Sequence, residues 1–397
     1  MKTFTVTFIL LSVCGIAFFG NYMYVPALPD ISAYFNVTAA DVAATITAVL
    51  IGMGISQLIL GPLSDSLGRK KILILSILIT IAGLFVSSMA SSLSMLTLGR
   101  FIQGLGVGGI VLLYRTIIRD FFPHDQLARV VSSFVIFTAA LPSIAPFAGG
   151  FFLEMYNWRI LFIFLTIITA IPLLIAIFLF KETLPKNKRS ALNAKSIFLN
   201  YFRFFKNRRY ITCVALILTS YAGIITMLTA SPFIFENGFG TSKSLYGILI
   251  LIATIFSVMA GTANTHYHKS PRKHRPVMIF GIYLSVIGGL LLVLSQMLSF
   301  NTIASTVIFM AIFSFGAALT YINSTTVMMK SLEINVGLGI AFSGFMQLIG
   351  SGVIMLIAAN IHITSCLSLG ITIIILAIIS FIILSSYKVQ KNLSTQQ

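Results

Sequence analysis

The sequence predicts an all-α integral membrane protein whose twelve transmembrane helices form two pseudo-symmetric bundles of six helices each. The first observation is composition: the chain of 397 residues is 58% hydrophobic and 9% charged, with a mean hydropathy of +1.02. A soluble domain has too little interior to bury so much apolar surface. The second is that apolar runs of about twenty residues, the length that crosses a bilayer, recur along the chain. The third is that lysines and arginines are concentrated in the loops between these runs.

The apolar runs define the predicted helices, and the polar loops between them set the boundaries. These runs lack the strict alternation of apolar and polar residues that a transmembrane β-barrel requires. The first run has no convincing small-residue cleavage site, so we interpret it as a retained span and not as a signal peptide. The predicted spans are residues 4–28, 40–62, 71–91, 93–117, 130–153, 159–180, 211–233, 245–264, 277–298, 302–325, 337–359 and 366–387.

The longest polar loop has six predicted spans before it and six after it. It is strongly basic, and Glu182 is its only acid. The sequence therefore predicts an N-terminal six-helix bundle over residues 1–180, a basic linker over 181–210, and a C-terminal six-helix bundle with a short tail over 211–397. A faint internal repeat, about 200 residues apart, supports two parallel halves of this kind.

Charge predicts the orientation of the chain. An even number of spans places both termini on one side, and the positive-inside rule makes that side the cytoplasm. The net charge of +17 could suggest a nucleic-acid partner, but clustering of the bases in short loops indicates an orientation signal instead, so we predict none. Most of the bases lie at the termini and in residues 65–71, 119–129, 181–210, 266–275 and 330–333.

The sequence predicts no enzymatic activity, no metal site and no cofactor. The three cysteines, Cys14, Cys213 and Cys366, all fall inside apolar runs, where they are typical small core or lipid-facing residues. The predicted spans contain no arrangement of a nucleophile with a base. A membrane sensor or scaffold would need an additional soluble domain or a long tail, and we find neither pattern.

The loop at residues 61–71, GPLSDSLGRKK, is a short polar break between two apolar runs. Its glycines, Gly61 and Gly68, permit a tight turn. Its spacing resembles the loop between the second and third helices of the major facilitator superfamily, whose pattern is roughly G-x-L-x-D-x-x-G-R-K. A plain basic turn at the membrane edge is the alternative.

This resemblance implies a transporter that works by alternating access, with a cavity lined by the first, fourth, seventh and tenth helices. It also implies that Gly61, Asp65, Gly68 and Arg69 are gating residues. We expect Asp65 to pair with Arg69 and to face the N-terminal end of the eleventh helix near Gly337, which would hold a cytoplasmic gate closed.

A second pattern lies inside the fourth predicted span. Residues 99–109 contain Arg100, Gln103 and a run of glycines, and they resemble the superfamily pattern R-x-x-Q-G-x-G. There the arginine faces the central cavity and is associated with proton coupling. The alternative is an arginine that binds backbone carbonyls for structure alone. The glycines predict a close helix-packing surface.

A third pattern lies in the fifth predicted span. Pro142, Pro146, Gly149 and Gly150 resemble the A/G-P-x-x-G-G motif that is associated with antiporters of this superfamily. The resemblance indicates efflux, with a bend about which the two halves rock. The alternative is a bent packing helix with no role in transport.

Several further stretches are similar to the Bcr/CflA drug-efflux branch. The resemblance implies a multi-pass protein of the bacterial inner membrane, a small-molecule substrate, protons as the coupling ion and a monomer in the lipid bilayer. The stretches are residues 22–29, 114–120, 157–159, 182–185 and 228–235.

One departure concerns the first helix, where the branch usually reads D-M-Y-L-P-A-L-P. Here Tyr22, beside Asn21, takes the place of the acid. A phenol with an ordinary pKa near 10 is a poor proton carrier. Asp30 could serve only if the first helix extends beyond residue 28. An arginine without a nearby acid could instead attract an anionic substrate.

The primary hypothesis is proton-coupled efflux of drugs or small metabolites. The second is transport, in either direction, of an anionic compound such as a carboxylate siderophore. The predicted substrate and proton-coupling residues are Arg100, Tyr22, Asn21, Gln103 and Arg115. Other polar residues could line the cavity or join helices: Gln57, Tyr221, Thr229, Asn323 and Gln347.

Overall fold

All the regular elements that the structure describes are helical. The computed structural model describes residues 3–122, 124–189, 201, 204–267, 274–332, 336–360 and 364–386. The helices are α1 Thr3–Tyr22, α2 Leu28–Phe35, α3 Ala39–Leu67, α4 Arg69–Ser88, α5 Leu93–Phe121, α6 His124–Met155, α7 Trp158–Phe178, α8 Arg208–Pro232, α9 Lys243–Tyr267, α10 His274–Met297, α11 Ile303–Lys330, α12 Val336–Asn360 and α13 Cys366–Ser386.

The predicted all-helical membrane class is confirmed. Over the described residues, eleven helical segments are long and apolar enough to cross a membrane, and the described apolar part of α6, Ala140–Met155, is shorter. The count of twelve crossings therefore stays a prediction. We call α1 to α7 the N-terminal half and α8 to α13 the C-terminal half.

The first span is longer than predicted and is broken. It was expected to end at residue 28, but the apolar helical segment continues to Phe35. The break after Tyr22 is filled by one 3₁₀ turn, Val25–Ala27, with Pro26 near its start. Proline lacks an N–H and clashes with the preceding helical turn, so the helix restarts there. Asn36 ends α2 in the left-handed conformation, at φ 51°.

The glycines of α5 allow it to pack closely on two neighbouring helices. A Cβ atom on Gly104 would meet the backbone of Val49 in α3, whereas one on Gly106 would meet the backbone of Ser76 and Thr80 in α4. The predicted close-packing surface over residues 99–109 is therefore present. Small residues suit this role because association of helices in lipid depends on close approach.

The two halves meet along two pairs of helices, α3 with α12 and α6 with α9. In the first pair, Thr47 Oγ1 donates to the carbonyl of Gly352 at 3.3 Å. In the second, a Cβ atom on Gly247 would meet the backbone of Phe147. We call the end of the bundle that carries the α3–α4 turn and residues 181–189 the linker end, and the other the opposite end.

The end of the linker packs between the halves. Tyr201 stacks on Phe342 of α12, with ring centroids 5.6 Å apart, and its hydroxyl donates to the carbonyl of Leu58 in α3 at 3.5 Å. Burial raises the pKa of Tyr201 to about 12. Residues 190–200, 202 and 203 of the predicted linker lie outside the described residues, as do residues 1–2 and 387–397 at the termini.

Candidate functional site

Tyrosines from both halves meet at the centre of the bundle. The hydroxyls of Tyr22 in α1 and Tyr221 in α8 are 3.1 Å apart and share a hydrogen bond. The ring of Tyr221 lies 6.4 Å from that of Tyr321 in α11, whose hydroxyl donates to Gln347 in α12 at 3.4 Å. The structure thus brings together the first, seventh and tenth spans, as the resemblance implied. We call this group, with Arg115, the tyrosine chamber.

Arg115 supplies the positive charge of the tyrosine chamber. It lies in α5, and its Nε donates to the hydroxyl of Tyr114 at 3.0 Å. Its charge also interacts electrostatically with Tyr321 in α11 and Cys14 in α1. The Arg115 side chain is nevertheless exposed. Within the residues that the structure describes, no carboxylate forms an ion pair with Arg115.

Arg100 lies elsewhere, against the broken end of α1. Its side chain is 1% exposed. Nη1 donates to the carbonyl of Gly20 at 2.9 Å and to Gln103 Oε1 at 2.5 Å, and Nη2 donates to the carbonyl of Asn21 at 3.3 Å. The guanidinium also stacks over the ring of Tyr24, 4.0 Å from its centroid.

This geometry matches the structural alternative for Arg100. Helix termini leave carbonyls without an intrahelical partner, and a buried carbonyl must find one elsewhere. Gln103 Nε2 donates to the same carbonyl of Gly20 at 2.9 Å. The side chain of Asn21 donates to Met53 Sδ at 3.2 Å, and its Oδ1 is buried with no hydrogen-bond partner. A role of Arg100 in proton coupling stays a prediction.

Arg100→Lys is expected to lower the thermal stability of the purified protein. An ammonium group cannot reproduce the fork that binds two carbonyls and Gln103 together, and losing one charge-assisted hydrogen bond costs about 2 kcal/mol. Thermal unfolding in detergent measures the loss. Arg115→Lys is the matched control, because its exposed side chain should change the melting temperature far less. An unchanged melting temperature in Arg100→Lys would contradict a structural role.

Arg69 is the centre of an ion cluster at the linker end. Its side chain is only 2% exposed; its Nη1 pairs with Asp65 Oδ1 at 2.6 Å and its Nε with Asp120 Oδ2 at 2.9 Å. Nη1 also donates to Ser64 Oγ at 2.6 Å. The expected pair of Asp65 with Arg69 is thus present. Asp65 lies in α3, Arg69 begins α4 and Asp120 lies in the last turn of α5, so the cluster joins three helices of the same half.

Gly68 and Glu182 form the turn before α4. Gly68 has φ 105°, a conformation that favours glycine. The Glu182 carboxylate accepts the backbone N–H groups of Arg69 at 2.8 Å and Lys70 at 3.3 Å. Glu182 therefore caps the N-terminal end of α4, where a negative charge is favourable. The sequence pattern predicts Asp65, and not Glu182, against the N-terminal end of a helix.

The expected contact of Asp65 with the start of α12 stays a prediction. Residues 333–335, just before α12, lie outside the described residues. The guanidinium of Arg119 is the side chain next to Gly337. The charge of Asp65 acts on Tyr201 in the linker. Tyr201, which stacks on α12, therefore lies near Asp65 at the contact between the halves.

Arg69→Met is expected to destabilise the protein by about 3 kcal/mol, because it leaves two carboxylates without their buried counter-charge. Thermal unfolding measures this loss. Arg119→Gln is a matched control: Arg119 contacts the same Asp120 at 3.7 Å but is 57% exposed, and such surface pairs contribute at most about 1 kcal/mol. Adding Asp120→Asn to Arg69→Met should recover part of the loss, and no recovery would contradict the ion-cluster argument.

The α6 motif lies at two close contacts of the opposite end. Pro142 and Pro146 are inside a continuous helix. A Cβ atom on Gly149 would meet the backbone carbonyl of Met23 in the broken first span. One on Gly150 would meet the backbone carbonyl of Lys243 in α9. Gly150 therefore lies at a contact between the two halves.

Polar contacts also join the halves at the opposite end. Lys243 Nζ pairs with Asp30 Oδ2 of α2 at 3.0 Å. Glu154 Oε1, near the end of α6, accepts the backbone N–H of Ser244 at 3.0 Å and its hydroxyl at 2.6 Å. Asp30 and Glu154, which both belong to the N-terminal half, thus bind the first turn of α9. The sequence pattern offers Asp30 only as an alternative proton carrier and predicts no role for Lys243 or Glu154.

A long helical bundle with a polar chamber between two halves defines a membrane transporter. The family model described as Major Facilitator Superfamily matches residues 10–355 of this chain. The chain belongs to the major facilitator superfamily, and it is a multi-pass secondary transporter of the inner membrane and not an enzyme.

Relatives and solved structures agree with this assignment. A bicyclomycin resistance protein homolog of Haemophilus influenzae is 26% identical over 66% of this chain and 67% of the relative. Multidrug resistance protein D of Escherichia coli is 25% identical to this chain. The match covers 88% of this chain and 87% of the relative's own length. The crystal structure of a D-xylose–proton symporter has a TM-score of 0.72 at 16% identity, covering 96% of this chain and 98% of that one, which shows the fold.

A further structure shows that the fold extends beyond bacterial proteins. The human organic anion transporter MFSD10 (TETRAN) has a TM-score of 0.67 at 16% identity, covering 97% of this chain and 100% of that one. At this level of identity the likeness concerns the fold alone.

Proposed function

We propose that this protein exports drugs or small metabolites across the bacterial inner membrane in exchange for protons. The observation that carries the proposal is the tyrosine chamber, where Tyr22, Tyr221, Tyr321 and Arg115 from both halves meet at the centre of the bundle. Midline sites at the interface of two repeats are where such transporters bind cargo. The names of the bicyclomycin and multidrug resistance relatives support drugs as cargo.

Alternating access requires that each end of the chamber opens in turn. The two bodies would be the predicted bundles, residues 1–180 and 211–397, joined by the linker 181–210. The docking of Tyr201 on α12 and the ion pair of Asp30 with Lys243 support closure at the linker end and at the opposite end, respectively. Opening one end would break its contacts while the other set stays in place.

Charge supports the linker end as the cytoplasmic end. The bases at residues 65–71 and 181–189 lie at this end, and the positive-inside rule places such loops in the cytoplasm. Both termini would then be cytoplasmic. We propose a monomer, as the resemblance to the drug-efflux branch implies.

A second candidate is transport of an anionic compound such as a carboxylate siderophore. The observation that favours it is Arg115, whose side chain is exposed and has no paired carboxylate among the described residues. A guanidinium binds a carboxylate through charge-assisted, bidentate hydrogen bonds. The neighbouring phenol hydroxyls add polar groups without adding charge.

Counterflow in proteoliposomes tests both candidates. The purified protein would be reconstituted and offered a cationic dye or a polycarboxylate, with and without a pH gradient. Exchange of the dye that accelerates with the gradient supports proton-coupled drug export. Preference for the polycarboxylate would overturn that assignment in favour of the second candidate, and no exchange of either compound would contradict both.

A further inference from the structure

Glu236 differs from the other acids that the structure describes. It lies in a π-helical turn, Phe233–Gly238, that follows α8 at the opposite end. Its Oε1 is buried and has no hydrogen-bond partner. Burial of an unpaired carboxylate oxygen is costly, so such a group calls for a functional explanation.

Charged groups lie near Glu236 on two elements that pack on this turn. Asp30 comes from α2 and Lys243 from α9, and both act electrostatically on Glu236. Tyr246 of α9 interacts with Glu236 as well. Glu154 of α6 binds the same first turn of α9 and interacts with Lys243.

The ion balance of this group depends on a proton. Lys243 is already paired with Asp30 at 3.0 Å, and its charge also acts on Glu236, so one ammonium balances two nearby carboxylates. Asp30 belongs to the N-terminal half and Glu236 to the C-terminal half. Closing the opposite end therefore brings two negative charges together in a partly buried place, and like charges there repel strongly. A proton on Glu236 removes this repulsion and leaves Lys243 to Asp30.

We propose that Glu236 is a proton-binding carboxylate of this transporter, and that proton uptake there stabilises closure of the opposite end. The inference rests on the proposed proton coupling. It assigns proton binding to an acid at the opposite end, because the residues of the tyrosine chamber include no acid. By linkage, protonation and closure favour each other to the same degree. Closure is therefore favoured as the pH falls and lost as it rises. Lys243 links protonation to closure, because an ionised Glu236 competes with Asp30 for its ammonium group.

The test measures the opposite end directly. Tyr156→Cys and Asn237→Cys place two labels on exposed positions in different halves, and the native Cys14, Cys213 and Cys366 are buried. Distances between spin labels on the full-length protein in nanodiscs would be recorded from about pH 5 to 8.5. In the otherwise unchanged protein, the closed population should fall as the pH rises. If the closed population of this protein did not change with pH, the proposal would be overturned.

Glu236→Gln should remain closed over the whole range, since glutamine resembles the protonated acid. Asp41→Asn is the matched control: Asp41 is an exposed acid at the same end, bound to Thr38 in its own helix cap, and it should leave the titration unchanged. A Glu236→Gln protein that titrates like the unchanged one would overturn the proposal.

A second variant keeps the proposal testable if Glu236→Gln does not fold. Asp30→Asn removes the other carboxylate, so Glu236 pairs with Lys243 and the pH response should weaken. An undiminished response in Asp30→Asn would contradict the shared-lysine argument. The spin labels measure closure of the opposite end in the absence of cargo. A normal titration without transport would therefore count against the proposed function alone, and transport without a titration would count against Glu236 alone.

Discussion

Gly150→Val is expected to reduce transport at least tenfold without unfolding the protein. The position of a Cβ atom on Gly150 is occupied by the backbone carbonyl of Lys243, across the boundary between the halves. A backbone atom cannot move aside as the end of a flexible side chain can, so α9 must shift away. The opposite end would then fail to close, and alternating access needs that closure. Counterflow in proteoliposomes measures the loss.

A matched control separates gating from folding. Gly261→Val lies in α9 too, but the nearest atom to its added Cβ is the end of the Ile322 side chain at 3.6 Å, an ordinary contact. This variant should keep most of its transport. Both variants should elute as folded protein with similar melting temperatures. Normal counterflow in Gly150→Val would contradict the idea that this contact must close during transport.

The fold was largely predictable because its signal is local. Each span is a contiguous apolar run, and hydropathy alone identifies it. The first span shows where this fails: hydropathy predicted one helix ending at residue 28, whereas Pro26 breaks it and α2 continues to Phe35. Proline at the start of a helical turn is compatible with restarting the helix, so the pattern alone does not tell a stop from a break.

The candidate site was predictable only where the partners are close in sequence. Asp65 and Arg69 are four residues apart, and their pairing follows from helical spacing. Arg115 was predicted as a cavity residue, and its Nε donates to the hydroxyl of the neighbouring Tyr114; its role in transport stays a prediction. Asp30 and Lys243, however, are paired across the two halves. No local pattern specifies which ends of two bundles meet.

Arg100 shows a different limit of sequence analysis. The motif indicated an intramembrane arginine, but its orientation depends on the break in α1, which supplies the carbonyls of Gly20 and Asn21. The sequence analysis left the structural alternative open, and the contacts favour it. The uncompensated positive charge of the chamber is therefore that of Arg115, which the sequence analysis had not separated from Arg100.

Arg115→Gln is expected to weaken binding of the polycarboxylate strongly if that compound is the cargo. A charge-assisted hydrogen bond contributes about 1.5 to 3 kcal/mol, which corresponds to roughly a tenfold to hundredfold change in affinity. Arg115→Lys should retain part of the affinity, because it keeps the charge and loses the planar fork. Equilibrium binding to the purified protein measures these changes. Arg119→Gln is the matched control, since it removes an exposed charge one turn further along α5.

The same substitution also separates the two proposed classes of cargo. An unpaired positive charge in the chamber disfavours a cationic compound as strongly as it favours an anionic one, because specificity is a difference between two affinities. Removing that charge should therefore strengthen binding of the cationic dye while it weakens binding of the polycarboxylate. A loss of both ligands would indicate collapse of the chamber, in which Arg115 maintains the positions of Tyr114 and Tyr321. Unchanged binding of both would place the cargo site outside the tyrosine chamber, since no ligand could then lie near the guanidinium.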